Sequence, residues 1–219
     1  MTCSPCVRLA LLLASALCAS VSLAAEVPPE TFSIDNATVG VTTLTDVQRI
    51  YGAAEASRVG REDGADVRIC YTHPSSKGRT FLIFESGVMG GFKQITGFRL
   101  STIRPSGNCV STKTDIDTLE TRNRVRLGQN LADFKKAIPV EFKRRGSELI
   151  YEAVNQRAAD YEAARRRAAT QEEMNEELKR LRAKWPNEQQ DHFDVTMTLS
   201  AKFKDDRLID FYVHKIESN

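Results

Sequence analysis

Two stretches of the chain share one pattern: residues 43–51 read TLTDVQRIY and residues 130–138 read NLADFKKAI. Each begins with Thr or Asn, has Asp three residues later, and places apolar residues at relative positions 1, 4, 7 and 8. A Thr or Asn side chain at the N-cap accepts a hydrogen bond from a free backbone N–H, and an early Asp stabilises the positive helix end. The apolar spacing forms one stripe. Each stretch therefore predicts a short amphipathic helix that opens a structural unit.

A second pattern lies in residues 193–203, which read FDVTMTLSAKF. Apolar and polar residues alternate along the whole stretch, as they do in a strand with one buried and one solvated face. Together with the repeated helix pattern, this strand indicates an α+β fold built of helices and antiparallel sheet.

The first 24 residues predict a secretory signal peptide. Arg8 precedes an apolar run that ends at Leu17, and small residues at Ser22 and Ala24 fit cleavage after Ala24. The run is short for a membrane span, and the bulky Leu17 before Cys18 disfavours lipid attachment. We therefore expect a periplasmic or secreted protein without a stable membrane anchor.

Removal of the signal peptide takes Arg8 with it and leaves 30 Lys and Arg against 29 Asp and Glu. Such a balance lacks the basic excess that neutralises nucleic-acid phosphates, so nucleic acid is excluded as an expected partner. About 195 residues remain, enough for one large domain or two small ones.

Only two of the five cysteines, Cys70 and Cys109, remain after cleavage. Two cysteines in an oxidising compartment usually pair, so we expect a Cys70–Cys109 disulfide. No Cys-x-x-Cys motif remains in the mature chain to suggest a redox-active pair.

The order of elements predicts two tandem repeats. A flexible lead, residues 25–31, precedes the first α+β repeat, residues 32–109, and a linker of weak periodicity, residues 110–121, separates it from the second, residues 122–219. In the first repeat, the predicted elements after the lead are a strand near 32–39, the first helix, strands at 67–71, 80–85 and 95–103, and a turn at 73–78. In the second, they are a strand at 124–127, the second helix, and strands at 148–151, 199–203 and 208–213. Phe84 and Phe203 are expected to hold matching places before the last turn of each repeat.

One segment of the second repeat has no counterpart in the first. Residues 154–186 are rich in Ala, Glu, Arg and Lys and lack Gly. Pairs such as Glu162 and Arg166 support helix at i, i+4, and Thr170 with Glu173 forms a capping box. We therefore predict a helical insertion of two helices, ended by Pro186.

The pattern resembles the fold of the β-lactamase inhibitory protein, which is shared with the small lipoprotein subunit of the outer-membrane β-barrel assembly machine. The residues that carry the resemblance are Gly40, Thr43, Asp46, Val47 and Gly52 in the first repeat and Gly128, Asn130, Asp133 and Phe134 in the second. The tandem arrangement looks more like the inhibitor, whose two repeats form one curved antiparallel sheet. The resemblance implies binding to another protein through a sheet face or loops.

No catalytic pattern stands out in the mature chain. His73 falls in a predicted turn, His214 on a late strand, and Asp191-His192-Phe193-Asp194 offers only half a metal site without a second cluster. The segment Gly87–Gly91 lacks the Lys and the helix of a phosphate loop and predicts a flexible hairpin. We expect no enzyme, no cofactor and no metal.

The sharpest candidate for a partner surface is the stripe Met174, Leu178, Leu181 and Trp185 in the predicted insertion. Trp and Met are favoured at interfaces, although packing of the stripe on the protein's own core is the competing interpretation. The leading hypothesis is an exported, non-enzymatic protein-binding module, inhibitor-like or an envelope accessory factor, whose partner is another envelope or secreted protein. The alternative is a periplasmic small-molecule carrier that uses the concave sheet. The sequence does not predict the oligomeric state.

Overall fold

The computed structural model describes residues 26–60, 66–75, 78–158 and 192–218. Over these residues the chain is an α+β protein, mostly antiparallel sheet with two α-helices. The helices are α1, Leu44–Tyr51, and α2, Leu131–Ala137. The strands are β1 Ser33–Ile34, β2 Ala37–Thr38, β3 Ser57–Val59, β4 Asp66–Ser75, β5 Gly78–Ser86, β6 Gly97–Ser101, β7 Val110–Ser111, β8 Lys143–Arg145, β9 Glu148–Ala158, β10 His192–Lys204 and β11 Arg207–Ser218. The signal-peptide prediction lies outside the described residues.

Nine of the described strands form one sheet. Its order is β3-β4-β5-β6-β11-β10-β9-β8, with β7 beside β4. All pairings in this sheet are antiparallel except the one between β4 and β7. Because β6 pairs with β11, strands from both predicted repeats form one continuous surface.

Both helices begin as their sequences predict. The Thr43 hydroxyl accepts a hydrogen bond from the Asp46 amide at 3.1 Å, and the Asp46 carboxylate accepts one from the Thr43 amide at 3.1 Å. The Asn130 side-chain oxygen accepts from the Asp133 amide at 2.8 Å. The Thr43 hydrogen bonds hold the pKa of Asp46 below its ordinary value. These caps satisfy N–H groups that an α-helix leaves free.

The core lies on the sheet face that the helices cover. An unbroken row of aromatic rings crosses it, with neighbouring ring centroids 5.4–6.5 Å apart. Phe134 of α2 is fully buried in this row. The row contains Tyr71, Tyr51, Phe84, Phe98, Phe211, Phe134, Phe142 and Tyr151, with Phe203 also against Phe134.

The chain enters both helices in a similar way. A glycine with φ near +78°, a left-handed conformation that L side chains rarely adopt, precedes each helix: Gly40 at 77° and Gly128 at 78°. The backbone at each entry exchanges two hydrogen bonds with one residue, Ile95 just before β6 or Leu208 at the start of β11. These are Gly40 N to Ile95 O at 2.8 Å with Ile95 N to Thr42 O at 2.9 Å, and Gly128 N to Leu208 O at 2.8 Å with Leu208 N to Gln129 O at 2.9 Å.

In the ladder between β6 and β11, Phe98 and Phe211 hold equivalent positions about the central pair. Arg99 lies opposite Tyr212 at the centre of the ladder. Two pairs lie on each side of this centre. On one side they are Leu100–Phe211 and Ser101–Asp210, and on the other they are Phe98–Val213 and Gly97–His214. Strands β6 and β11 are therefore related by the local two-fold axis that an antiparallel ladder has at its centre.

The beginning of the described chain differs from the prediction. A 3-10 helix, Pro29–Phe32, and the tight hairpin of β1 and β2 replace the single strand expected at 32–39. Val27 is buried in the core, so part of the lead predicted to be flexible is packed. Apolar residues alternate on both sides of Asp35 and Asn36, but these two adjacent polar residues interrupt the pattern, and the chain reverses there with Asp35 at a positive φ of 49°.

Two further predictions about the middle of the chain are wrong in detail. The segment 110–121, predicted to be a linker, contains β7 and the fully buried Ile116. Arg124 has a φ of 67°, and residues 124–127 contribute only an isolated bridge between Arg126 and Glu120 in place of the predicted strand. The chain therefore passes from one half to the other along the surface of the core.

The second half also corrects two expectations. Strand β9 continues to Ala158, so residues 154–158 are strand and not part of a helical insertion. Phe203 lies opposite Leu208, whereas Ala201 lies opposite Phe211 as Phe84 lies opposite Phe98. The ladder thus places Ala201, not Phe203, in the position of Phe84. The remainder of the predicted insertion lies outside the described residues.

The predicted disulfide is confirmed. Cys70 of β4 and Cys109 are bonded, with their Cα atoms 4.6 Å apart. Cys70, Phe81 and Ile83, with Cys109 packed against them, form a small apolar cluster on the sheet face opposite the helices. The bond is compatible with an oxidising, extracytoplasmic compartment.

Candidate functional site

The segment between β5 and β6 is a structured loop rather than the flexible hairpin expected from its glycines. Its centre is a 3-10 helix, Val88–Gly90. The Gly87 carbonyl accepts from the amides of both Gly90 and Phe92 at 3.0 Å, and the Ser86 hydroxyl donates to the Gln94 carbonyl at 2.5 Å. The loop therefore has a defined shape held by its own backbone.

Three apolar side chains of this loop point into solvent. Val88 is 59 % exposed, Met89 51 % and Phe92 45 %. We call these three residues the apolar loop surface. Val41 is also exposed, at 63 %. The residues on either side of it, Gly40 and Thr42, are hydrogen-bonded to the backbone of Ile95 at the end of the same loop. Exposed apolar groups gathered in one region mark interaction sites more often than isolated ones do.

Phe92 adopts an uncommon backbone conformation. Its φ of 57° is in the left-handed region, where Gly and Asn are favoured and bulky residues are outliers. A Phe there costs about 1–2 kcal/mol relative to a relaxed backbone. Such strain at an exposed aromatic residue is typical of functional surfaces, where the surrounding structure maintains a costly conformation.

The loop is tied to the N-terminus of α1. The amide of Leu44, the first residue of the helix, donates to the Lys93 carbonyl at 2.8 Å, and Thr43 forms a bridge with Gln94. The apolar loop surface therefore sits on a base that is hydrogen-bonded to both the sheet and the helix. A rigid base reduces the conformational entropy that the loop would lose on binding.

The sheet face opposite the helices carries a network of charged groups. Arg99 donates to both carboxylate oxygens of the fully buried Asp210, at 2.7 and 2.5 Å. Arg68 pairs with Glu85 at 2.5 Å, and the Tyr212 hydroxyl donates to the other Glu85 oxygen at 3.0 Å. Asp210 and Glu85 therefore each have an arginine partner, and the charge of Asp66 also acts on Tyr212 and His214 from the start of β4.

The titrating groups of this face are held in single states. The hydrogen bonds to Asp210 raise the pKa of Arg99, and burial raises the pKa of Tyr212 above its ordinary value, with the nearby Glu85 charge adding to the effect. Burial lowers the pKa of His214, whose ring stacks on Tyr212 with 6.2 Å between centroids. His214 is therefore neutral at pH 7, as fits the sheet histidine that the sequence predicts.

His73 does not lie in a turn as predicted, because β4 continues to Ser75. Its Nδ1 atom lies 3.4 Å from Oδ2 of Asp117 and 3.9 Å from Oδ1 of Asp115. Both carboxylates come from the segment that the sequence predicts to be a linker. His73 is therefore part of a strand and lies beside two carboxylates, with its side chain 28 % exposed.

The remaining predicted site residues cannot be placed. The stripe Met174, Leu178, Leu181 and Trp185 lies outside the described residues, as does Asp191. His192 begins β10, and nothing is described of its side chain. In the described residues, no helix is long and apolar enough to cross a membrane.

Sequence reasoning missed the apolar loop surface and the group formed by His73, Asp115 and Asp117. The residues Val88, Met89 and Phe92 stand among three glycines, a composition that suggests a loop and hides an exposed apolar surface. The Asp-Ile-Asp spacing at 115–117 could have been read as two carboxylates flanking one buried residue, but nothing in the sequence links it to His73.

No family model matches the chain, and neither a curated protein nor a solved structure shows significant similarity to it.

Proposed function

We propose that this protein is an exported, non-enzymatic binding module that recognises another envelope or secreted protein through the apolar loop surface. The observation that carries the proposal is the exposure of Val88, Met89 and Phe92 on a hydrogen-bonded loop, with Phe92 in a strained conformation. Exposed Met and Phe side chains are enriched where proteins meet. A partner that covers them would gain roughly 25 cal/mol for each Å² of apolar surface removed from water.

The disulfide supports the exported location within this proposal. A Cys70–Cys109 bond forms and persists in the periplasm or outside the cell, where the predicted signal peptide would deliver the chain.

We further infer that the fold arose from two tandem α+β repeats, as in the β-lactamase inhibitory protein that the sequence resembles. The similar helix entries at Gly40 and Gly128 support this inference. When Phe98 is matched with Phe211, Leu82, which lies opposite Leu100, is matched with Leu199, which lies opposite Val213. In this arrangement β6 and β11 are equivalent strands that meet at the junction of the repeats.

A crosslinking experiment tests the binding proposal. Mature protein with a photo-crosslinker in place of the exposed Lys93, beside the surface, is exposed to the envelope fraction of its own cells, and captured proteins are identified by mass spectrometry. The same bait carrying Val88→Ser, Met89→Ser and Phe92→Asn is the test variant. Val154→Ser, at another exposed valine (65 % exposed) on β9, is the matched control.

The proposal predicts one protein captured by the wild type and the Val154→Ser control and reduced at least tenfold with the triple variant. Equal capture by the triple variant would place the interface elsewhere, and the insertion stripe at Trp185 would then be tested by its own substitutions. Small-molecule carriage remains a separate prediction, tested by native mass spectrometry of the exported protein for a co-purifying ligand.

A further inference from the structure

The side chains of His73, Asp115 and Asp117 converge although they are far apart in the sequence. One ligand atom from each residue lies within 4.8 Å of the other two. The histidine comes from β4, and the two aspartates come from the segment that follows β7. A nitrogen and two carboxylate oxygens from separate elements are donors of the type that hold a transition-metal ion.

The spacing of these donors matches the size of a zinc ion. Zn²⁺ binds His nitrogen and carboxylate oxygen at about 2.0–2.2 Å in tetrahedral sites, which places neighbouring ligand atoms about 3.4 Å apart. The His73 Nδ1 to Asp117 Oδ2 distance is 3.4 Å, and the His73 Nδ1 to Asp115 Oδ1 distance is 3.9 Å. The first pair needs no movement, and the second needs a shift of about half an ångström. The two aspartate oxygens lie within 4.8 Å of each other, so the exposed Asp115 side chain would move towards Asp117 when the ion binds.

The electrostatic balance of the group also indicates a cation. The Asp117 side chain is 25 % exposed, but its Oδ1 atom is inaccessible to solvent and has no hydrogen-bond partner among the described residues. The ion pairs found in the described part of the chain include no Lys or Arg on either aspartate. A buried carboxylate oxygen without a partner is costly, and a cation bound at the neighbouring oxygen would offset that cost.

The two aspartates are held in place independently of any ligand. Ile116 between them is fully buried in the core, and the Asp117 amide donates to Oδ1 of Asp115 at 3.1 Å. On the other side of the segment, the Thr112 hydroxyl donates to the Tyr51 carbonyl at 2.8 Å, and its amide donates to the Thr72 carbonyl at 3.1 Å. The donors are therefore fixed to the strand that carries His73, which reduces the entropy cost of binding an ion.

We propose that His73, Asp115 and Asp117 form a zinc site, with solvent as the fourth ligand. Zinc is favoured over magnesium or calcium because these hard ions prefer all-oxygen ligands, whereas imidazole suits zinc. The ion joins the 112–117 segment to β4 a few residues from the disulfide at Cys70. This site is separate from the apolar loop surface, so the proposal does not depend on the proposed function.

Isothermal titration calorimetry of the disulfide-intact, metal-free mature protein with zinc chloride tests the site. The variants are His73→Gln, Asp115→Asn and Asp117→Asn, and the matched controls are His214→Gln and Asp133→Asn. Asp115 is 57 % exposed, so its substitution is the least able to disturb folding. Melting curves with EDTA show whether each variant folds as the wild type does.

The proposal predicts one equivalent of zinc bound by the wild type and by both controls, with affinity reduced at least tenfold in each of the three variants. It also predicts that zinc raises the melting temperature of the wild type but not that of Asp115→Asn. Failure of the wild type to bind zinc would overturn the proposal. Binding of unchanged affinity in folded Asp115→Asn and His73→Gln would equally overturn it, because the ion would then lie elsewhere.

Discussion

The β5–β6 and β10–β11 hairpins lie on either side of the β6–β11 pair, and they connect their strands by different loops. Strands β10 and β11 are joined by Asp205 and Asp206 alone, both at positive φ, 50° and 58°, as tight two-residue hairpins require. Strands β5 and β6 occupy the matching positions in the first half, yet they are separated by ten residues, 87–96. Two residues are thus enough to close this hairpin, and the first half has eight more than closure needs.

Each connection also accepts a hydrogen bond from the first amide of a helix. The first amide of α1 donates to the Lys93 carbonyl, and the first amide of α2 donates to the Asp206 carboxylate at 3.3 Å. Capping is therefore achieved by the short turn as well as by the long loop. What the long loop adds is the apolar loop surface, so the comparison separates residues that the fold requires from residues available for binding.

The two halves also differ in what stabilises them. The first half has the disulfide and a small apolar cluster on the outer face of the sheet. The second half has no disulfide in its described residues and relies on Phe134, which contacts Phe142, Phe203 and Phe211 with centroids 5.4–5.8 Å apart. The corresponding helix position in the first half, four residues after the cap, holds the smaller Val47.

The largest effect is expected from removing the aromatic centre of the second half. Phe134→Ala should lower the free energy of unfolding by about 3–5 kcal/mol, because a fully buried ring leaves a cavity. Val47→Ala, at the matching position, should cost about 2 kcal/mol, since it removes two buried methyl groups. Urea denaturation followed by circular dichroism measures both. Equal losses would contradict the view that the second half depends more on its helix.

The disulfide should come next. Its loop spans 39 residues, so the double variant Cys70→Ala, Cys109→Ala should unfold about 3–4 kcal/mol more easily on the chain-entropy model. The same urea titration measures this loss, with the wild type under non-reducing conditions as the reference. A double variant as stable as the wild type would show that the packing of Phe81 and Ile83 holds this face without the bond.

A smaller effect is expected at the short turn. Asp206→Ala removes the acceptor of the first α2 amide and places Ala at a positive φ, where Asp is better tolerated. Together these should cost about 1–2 kcal/mol, in the range of lost helix caps. Asp206→Asn is the matched control because it keeps an acceptor and tolerates the backbone conformation, and it should cost less than half as much. Equal losses would argue against both reasons.

The smallest predicted effect is a pH dependence from His214. Burial holds its pKa in the folded protein below the ordinary value of 6.5. The unfolded chain then binds the proton first as the pH falls through about 6.5, so the free energy of unfolding decreases from there towards the folded-state pKa. His214→Gln should remove this part of the dependence. Denaturation at pH 5 and pH 8 measures it, and an unchanged difference between the two pH values would contradict the assignment.

The sequence predicts the helices and the regular strands well because their signals are local. The caps at Thr43 and Asn130 are within reach of their own helix, and the alternation from 193 to 203 appears as burial of Val195, Met197, Leu199 and Ala201. The disulfide is predicted because the chain is expected in an oxidising compartment and has only two cysteines after signal-peptide cleavage. These features need no knowledge of what lies across the sheet.

The errors arise where distant contacts decide the structure. The segment 110–121 has little periodicity, yet Ile116 is buried because the core offers a space for it. Phe203 resembles Phe84 in sequence, but the ladder register gives that position to Ala201. The group of His73, Asp115 and Asp117 depends on a parallel pairing of β4 with β7 that no local pattern indicates.

The central claim is that the apolar loop surface is not needed by the fold. The most direct measurement is the free energy of unfolding of the variant Val88→Ser, Met89→Ser, Phe92→Asn, obtained by urea denaturation beside the wild type. The account predicts a value equal to that of the wild type or up to about 1 kcal/mol higher, because Asn relieves the left-handed strain at Phe92. A decrease of about 2 kcal/mol or more, the cost of losing a buried apolar side chain, would contradict the account and assign these side chains to the core.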